Sequence, residues 1–173
     1  MKPLYLSLLL MFLLVSCSKK NEQEFYQEAQ QAVSQKNYQL AAERYLQAVD
    51  ASPQSAIAES SQYRIAMLYN NELRELENAV FAYRKFYTMF PNSKNAPTAL
   101  FLSGFILNNE LKRPDSARTA YESFLLKYPD HELAASARFE LETLGKEPET
   151  YVKSDAAALG EKKPTQQEKA PKQ

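Results

Sequence analysis

The sequence predicts an all-α protein, a helical-hairpin solenoid of about three repeats followed by a C-terminal capping helix. The main observation is that three residue types recur at intervals of 38 residues. They are Ala41, Ala79 and Ala117, then Tyr45, Tyr83 and Tyr121, and Pro53, Pro91 and Pro129. Apolar residues within each repeat follow helical spacing. Only three glycines occur in the chain, too few for the tight turns of a strand-rich fold.

Each repeat divides into two predicted helices. The first helices are expected at residues 22–35, 56–70 and 95–109, and the second at 38–51, 75–90 and 115–128. Ser55 suits an N-cap and Pro114 suits a first helical turn. The pairs Asn70 with Asn71 and Asn108 with Asn109 are predicted to close the turns, because Asn tolerates left-handed backbone.

A final helix, at about residues 131–144, is predicted to cap the array, since each hairpin leaves an apolar face that only a neighbour can bury. Gly145 suits the residue just past its end. The side chains expected to pack are Ala134, Ala137, Phe139, Leu141 and Leu144. Residues 145–173 are rich in Lys, Glu, Gln and Pro and are predicted to be a disordered polar tail. A tail that docks on a partner is the alternative.

The repeat resembles the tetratricopeptide repeat. That family places a small residue in the first helix, Ala and an aromatic residue in the second, and Pro at the end. The matching residues are Ala29, Ala41, Tyr45 and Pro53, then Ala66, Ala79, Tyr83 and Pro91, then Gly104, Ala117, Tyr121 and Pro129. The second and third repeats carry one extra residue in the turn between their helices. The resemblance covers roughly residues 22–144.

The N-terminus is predicted to be a targeting segment. Lys2 precedes an apolar run over residues 4–15, which is shorter than the roughly 20 residues of a bilayer span and suits a signal peptide. Residues 1–16 are therefore predicted as a signal peptide and 17–21 as a lipidated cysteine with a short tether. The repeat domain would follow at 22–144.

The junction Leu14, Val15, Ser16 and Cys17 resembles the lipobox of bacterial lipoproteins. The resemblance implies cleavage after Ser16, a diacylglycerol thioether on Cys17 and acylation of its new amino group. Ser18, in place of Asp, is similar to the enterobacterial pattern for the outer membrane. Lys19 and Lys20 stand where some bacterial groups carry an acidic cluster for surface export, so we expect the periplasmic face. The alternatives are a plain secretory signal with a chance cysteine, an uncleaved anchor, and surface exposure.

The residues offer no constellation for catalysis. His131 is the only histidine and is expected to be solvated, and Cys17 is the only cysteine. A metal cluster needs more such ligands, short of an all-oxygen site. We therefore expect a protein that is not an enzyme, with no metal, no cofactor and no small-molecule substrate. The formal net charge is +0, so the chain does not have the excess of basic residues that is typical of nucleic-acid-binding proteins.

A partner-binding groove is implied by the tetratricopeptide resemblance, since first helices line the concave face in that family. Carried over by position, the candidates are Tyr26, Gln30, Tyr63, Met67, Asn70, Asn71, Phe101, Phe105, Asn108 and Asn109. Aromatic and Met side chains suit anchoring by burial, and Asn amides can bond an extended peptide. The alternative is structural: Phe101 and Phe105 pack against the capping helix, and the Asn pairs only close turns. The Lys pattern of the family's carboxylate clamp is absent.

The runs over residues 83–93 and 121–129 resemble envelope tetratricopeptide proteins. Two families are similar: the BamD-type lipoproteins of outer-membrane β-barrel assembly, and the YbgF-type coordinators of the Tol–Pal system. A tether of about four residues after Cys17 reaches roughly 14 Å, which favours a lipoprotein held against the membrane. The YbgF type typically carries a coiled coil and no lipid, whereas the BamD type carries more repeats than the three here.

The function expected from these resemblances is a non-enzymatic scaffold, anchored by lipid to the periplasmic face of the outer membrane and accessory to outer-membrane protein assembly. Its partners would be other envelope proteins or peptide segments. The alternative function is an adaptor or regulator of cell-wall or cell-division machinery.

Overall fold

The computed structural model describes residues 21–146. In this part of the chain seven α-helices follow one another without a strand: α1 (Glu22–Ser34), α2 (Tyr38–Ala51), α3 (Ala56–Met67), α4 (Leu76–Met89), α5 (Ala96–Phe105), α6 (Pro114–Lys127) and α7 (Ala134–Thr143). The all-α prediction is confirmed, and each helix begins within three residues of its expected start. The predicted signal peptide, Cys17 and nearly all of the tail lie outside the described residues.

The helix ends follow from short polar and small residues in the sequence. Asn21, Asn37 and Ser55 are the N-caps of α1, α2 and α3, and their side chains accept backbone N–H bonds at 3.0, 3.3 and 3.0 Å. The Ser55 cap is therefore confirmed. Pro114 opens α6, where its missing N–H costs no helical bond. Gly145 adopts the left-handed conformation just beyond α7, at φ 72°, as expected for that position.

The extra residue of the second and third repeats is absorbed by a π-helical turn. Such turns follow α3 at Leu68–Glu72 and α5 at Ile106–Glu110. The Leu73 N–H donates to the Leu68 carbonyl at 2.9 Å, and the Leu111 N–H donates to the Ile106 carbonyl at 2.9 Å. Each bond spans five residues, so the wider turn holds one residue more than an α-helical turn.

The prediction of left-handed backbone at the two Asn pairs was wrong, because these residues stay inside the π-helical turns. The left-handed positions are Lys36, Arg74 and Lys112, with φ of 58°, 55° and 55°, and they too lie 38 residues apart. This conformation costs roughly 1 kcal/mol for a residue with a Cβ. A basic side chain near a helix C-terminus offsets part of that cost by facing the unbonded carbonyls, and Arg74 Nη1 donates to the Asn70 carbonyl at 3.1 Å.

The chain divides into two compact units, Met1–Ala96 and Pro97–Gln173, whose described parts are residues 21–96 and 97–146. In unit 1, α1 packs on α2, α2 on α3, and α3 on α4. Small residues allow these close approaches, and the aromatic rings fill the space beside them. The fully or almost fully buried members are Ala29, Ala41, Tyr45, Ala58, Ala66, Ala79, Tyr83 and Phe86. These are the residues at the recurring positions of the repeat, together with their neighbours, so the recurring positions form the core of this unit.

In unit 2, Gly104 of α5 marks the close approach to α6. A Cβ at this position would lie 3.0 Å from Tyr121 Cε1 and 3.2 Å from Ala120 Cβ, so the small residue is a packing requirement. Phe124 is fully buried, and its ring lies 5.9 Å from Phe101, 5.7 Å from Tyr128 and 5.6 Å from His131. An aromatic cluster is therefore the centre of this unit.

Two expectations about the capping helix change. α7 packs on α6 through Ala134 and Ala137, which are buried as predicted, but Phe139 is largely exposed. His131 is half-buried rather than solvated, because its ring meets Phe124 edge-on and its Nδ1 accepts the Leu133 N–H at 3.1 Å. The imidazole thus closes the turn that leads into α7.

No helix among residues 21–146 combines the length and the apolar character needed to cross a bilayer.

Candidate partner-binding groove

The first helices of the two hairpins in unit 1 meet through Tyr26 and Arg64, which lie 38 residues apart at the same repeat position. Arg64 Nε donates to the Tyr26 hydroxyl at 3.1 Å, and the guanidinium carbon lies 5.9 Å from the Tyr26 ring centre. The Tyr26 ring meets Tyr45 edge-on at 5.5 Å. Burial raises the pKa of Tyr45, while the charge of Arg64 lowers it. These contacts orient a guanidinium group that remains exposed to solvent.

Beside this guanidinium lies a small groove, called here the Arg64 groove. It has a volume of about 170 Å³ and is lined by Val33, Tyr45, Arg64, Met67, Leu68, Asn71 and Glu72. Met67 is 41% exposed, which is high for a Met side chain in a packed repeat. The groove thus combines an apolar wall, a fixed cation, an amide and the Glu72 carboxylate within one side-chain-sized space.

The other predicted residues of unit 1 are placed differently. Tyr63 is half-buried, and its ring meets Phe86 at 5.0 Å and Tyr83 at 6.0 Å, so it packs α3 against α4. Burial raises the pKa of its hydroxyl. Asn70 Nδ2 donates to Asn71 Oδ1 at 2.7 Å, so these two amides bond to each other. Gln30 is exposed on α1. Of the predicted set, Met67 and Asn71 are the members that line the Arg64 groove.

In unit 2 the predicted aromatic residues face the core or its edge. Phe101 is buried, and its ring lies 5.6 Å from Tyr121 and 5.9 Å from Phe124. Phe105 stacks on Phe101 at 6.3 Å and keeps a partly exposed edge. Phe101 therefore packs α5 on α6 in this conformation.

The amides of Asn108 and Asn109 are already bonded to a carboxylate. Their Nδ2 atoms donate to Glu140 Oε2 of α7 at 3.0 and 3.1 Å. The Tyr121 hydroxyl donates to the same oxygen at 3.3 Å. Burial first, and then the charge and hydrogen bond of Glu140, raise the pKa of Tyr121, so the hydroxyl stays a neutral donor. Three donors on one oxygen fix α7 to the end of the third hairpin.

Replacing Glu140 with Ala is expected to destabilise unit 2 by about 2 kcal/mol. Hydrogen bonds to a charged acceptor are worth roughly 1.5–3 kcal/mol, and the half exposure of this carboxylate keeps the expected loss below the top of that range. Glu140→Gln, which keeps an acceptor, should cost less. Urea unfolding followed by circular dichroism measures the loss. The matched control is Glu142→Ala, on an exposed residue of the same helix, and equal losses for Ala at 140 and 142 would contradict the proposed bonds.

Sequence reasoning did not identify Arg64, Glu72 or Glu140. A signal existed for Arg64, since it occupies the repeat position of Tyr26. No signal in the sequence marks Glu140, because its contacts with Asn108 and Asn109 depend on the packing of α7.

The chemistry available in this region is binding. Within residues 21–146, no three His, Cys, Asp or Glu side chains converge as they would for a metal ion. The Arg64 groove is well below the roughly 300–1,000 Å³ of small-molecule sites, but it suits one side chain of a protein partner.

Comparison with known proteins places these features in a family. The family model YfiO, described as "Outer membrane lipoprotein", matches residues 18–158. Among solved structures, the tetratricopeptide domain of Arabidopsis OM64 is similar, with a TM-score of 0.51, 17% identity, and coverage of 70% of this chain and 94% of that one. At that identity the likeness shows the fold alone, and it confirms the tetratricopeptide-type hairpins. No curated protein matches the chain in sequence.

The family match extends over most of the chain and includes all of the described residues. It confirms the BamD-like, outer-membrane-lipoprotein resemblance that the sequence suggested, and the fold confirms the helical-hairpin repeat. The chain belongs to the YfiO family of outer membrane lipoproteins.

Proposed function

We propose that this protein is a non-enzymatic scaffold that holds other envelope proteins, is anchored through a lipidated Cys17 at the periplasmic face of the outer membrane, and assists the assembly of outer-membrane proteins. The observation that carries the proposal is the Arg64 groove, in which a pre-oriented cation lies beside an exposed Met. The family, described as outer membrane lipoprotein, supports the location.

The groove suits a protein partner for reasons of size and chemistry. About 170 Å³ accommodates one side chain, and Met67 offers a flexible, polarisable contact for an apolar group. Arg64 is positioned by its Nε bond to Tyr26, so less side-chain freedom is lost when its remaining N–H groups bind an acceptor. Asn71, whose oxygen accepts from Asn70, still has an amide nitrogen with which to donate.

The test is quantitative affinity capture with the lipidated full chain, comparing the wild type with Met67→Glu. Placing a charge in the groove is expected to lower partner recovery at least tenfold, which corresponds to about 1.4 kcal/mol. Arg64→Ala should act in the same direction. Tyr63 is a poor choice for this purpose, because its ring packs against Phe86 and its loss would disturb the fold.

The matched control is Leu126→Glu, which introduces the same charge at a residue that is 83% exposed and lies in unit 2. Recovery of β-barrel proteins that depends on Met67 would support the proposal. Equal recovery with Met67→Glu and wild type would refute the groove, and recovery of cell-wall hydrolases or synthases instead would replace the assembly role with the adaptor role.

A further inference from the structure

A second groove lies in unit 1, between α2 and α4, and its floor is formed by α3 together with the buried faces of the two walls. It has a volume of about 470 Å³. Leu46 on the α2 wall is 42% exposed and Phe81 on the α4 wall is 69% exposed. The floor includes Ala42, Ile65 and Ala82, which are buried. We call it the α2–α4 groove; it shares no lining residue with the Arg64 groove.

The repeat supplies an internal control for the two exposed side chains. The positions that correspond to Leu46 in the next repeats hold Arg84 and Glu122, and those that correspond to Phe81 hold Glu43 and Thr119. The hairpin therefore folds with polar residues at both positions. Since the fold does not require Leu46 and Phe81, their apolar surface is best explained by something that covers it.

The floor carries a polar group that the fold does not require either. Gln62 is buried, its Nε2 donates to the Ala82 carbonyl at 3.3 Å, and its Oε1 has no hydrogen-bond partner among the described residues. The Ala82 carbonyl fixes the orientation of the amide, because a flip would set two oxygens together. At the spacing of 38 residues, the corresponding positions hold Glu24 in the first repeat, which is exposed, and Leu100 in the third repeat, which is buried and apolar. Of the three repeats, only the second buries a polar side chain at this position, and it leaves an amide oxygen unpaired beside the groove.

The charge at the groove is positive on one wall. Lys85 lines it one helical turn after Phe81, and none of the carboxylates in residues 21–146 is seen to pair with it. Glu43 also lines the groove, but its Oε1 already accepts from Arg44 Nη1 at 3.0 Å. The corresponding positions for Lys85 hold the neutral residues Gln47 and Ser123. The charge that complements this wall is an acidic side chain.

The helical walls of the groove also determine which backbone conformation a bound segment can adopt. Both are sides of α-helices, whose backbone N–H and C=O groups bond within the helix, so an extended peptide would find no row of backbone partners. A helix satisfies its own backbone and presents a stripe of apolar side chains at three- and four-residue spacing. We propose that the α2–α4 groove binds an amphipathic helix of a partner protein, which inserts apolar side chains between Leu46 and Phe81 and sets an acidic residue against Lys85. This is a binding site in addition to the Arg64 groove.

The experiment is a selection from a displayed library of helical peptides against the full chain, followed by affinity measurement for the selected peptides. The test variant, Leu46→Glu with Phe81→Thr, uses the residues that the third repeat carries at these positions, so its melting temperature should match the wild type. Its affinity should fall at least tenfold. The matched control is Leu126→Thr. It removes an exposed Leu of unit 2 and introduces Thr, the residue type of Thr88 at the same repeat position, and it should leave the affinity unchanged.

Charge reversal tests the acidic contact. Lys85→Glu should weaken binding several-fold, and replacing the acidic residue of the peptide with Lys should restore it. The proposal is overturned if no peptide is enriched over the double variant, if selected peptides lack an acidic residue whose reversal rescues Lys85→Glu, or if sedimentation shows a wild-type dimer that the double variant loses, since the occupant would then be a second copy. None of these results bears on the Arg64 groove, which Met67→Glu tests separately.

Discussion

Replacing Phe124 with Ala is expected to destabilise unit 2 by about 3–5 kcal/mol, the range for removing a buried aromatic ring. Phe124 is fully buried and touches rings from α5, from its own helix end and from the turn before α7, namely Phe101, Tyr128 and His131. Since whole domains are stable by only about 5–15 kcal/mol, a unit of three helices should be largely unfolded by this change. Hydrogen exchange followed by mass spectrometry would show loss of protection in α5, α6 and α7.

Leu126→Ala is the matched control, because Leu126 lies two residues further along the same helix and is 83% exposed. It should change stability by no more than about 0.5 kcal/mol. If Phe124→Ala and Leu126→Ala leave the same protection, the aromatic cluster is not the core of unit 2 and the packing described for α6 is wrong.

Replacing Cys17 with Ser is expected to move the protein from the membrane fraction to the soluble fraction. The expectation follows from the resemblance of Leu14 to Cys17 to a lipobox and from the family. Each buried methylene contributes about 0.8 kcal/mol and stable anchoring needs more than one acyl chain, so losing the residue that we propose to be acylated should abolish retention. Membrane fractionation with immunodetection gives the readout.

The control is Ser18→Ala, next to the cysteine, which should leave the protein in the membrane fraction. Mass spectrometry of the mature N-terminus supplies an independent check, with a diacylglyceryl and acyl mass expected on Cys17. An unmodified Cys17, or a Cys17→Ser protein that stays in the membrane at the wild-type level, would contradict the lipid anchor.

The helices could be predicted because the same residue types recur at the same positions of each repeat. Ala41, Tyr45 and their counterparts recur with one period, and only helical hairpins bury such a pattern face to face. The π-helical turns could not be predicted, since the extra residue between Ala66 and Ala79 fits a longer turn equally well. Backbone hydrogen bonding, rather than side-chain type, decided between them. Because the π-helical turns include the Asn pairs, the residues with left-handed backbone are Arg74 and Lys112 rather than Asn.

The candidate site was less predictable, because exposure and pairing depend on packing between helices distant in sequence. The family position of Met67 gave a residue that proved to be exposed, whereas the same reasoning applied to Phe101 gave a residue that packs on α6. Arg64 and Glu140 act through partners 38 and 32 residues away, Tyr26 and Asn108. Such pairs become visible only once the hairpins are placed side by side.

The most direct test of the scaffold is photocrosslinking in the membrane of living cells. A photoreactive residue at position 67, in the Arg64 groove, should crosslink to a discrete set of envelope proteins that includes β-barrel proteins. The same residue at position 126, on the more exposed Leu126 of unit 2, should not. Crosslinks of equal yield and identity at the two positions, or none at 67 while the protein remains folded and membrane-bound, would contradict the account.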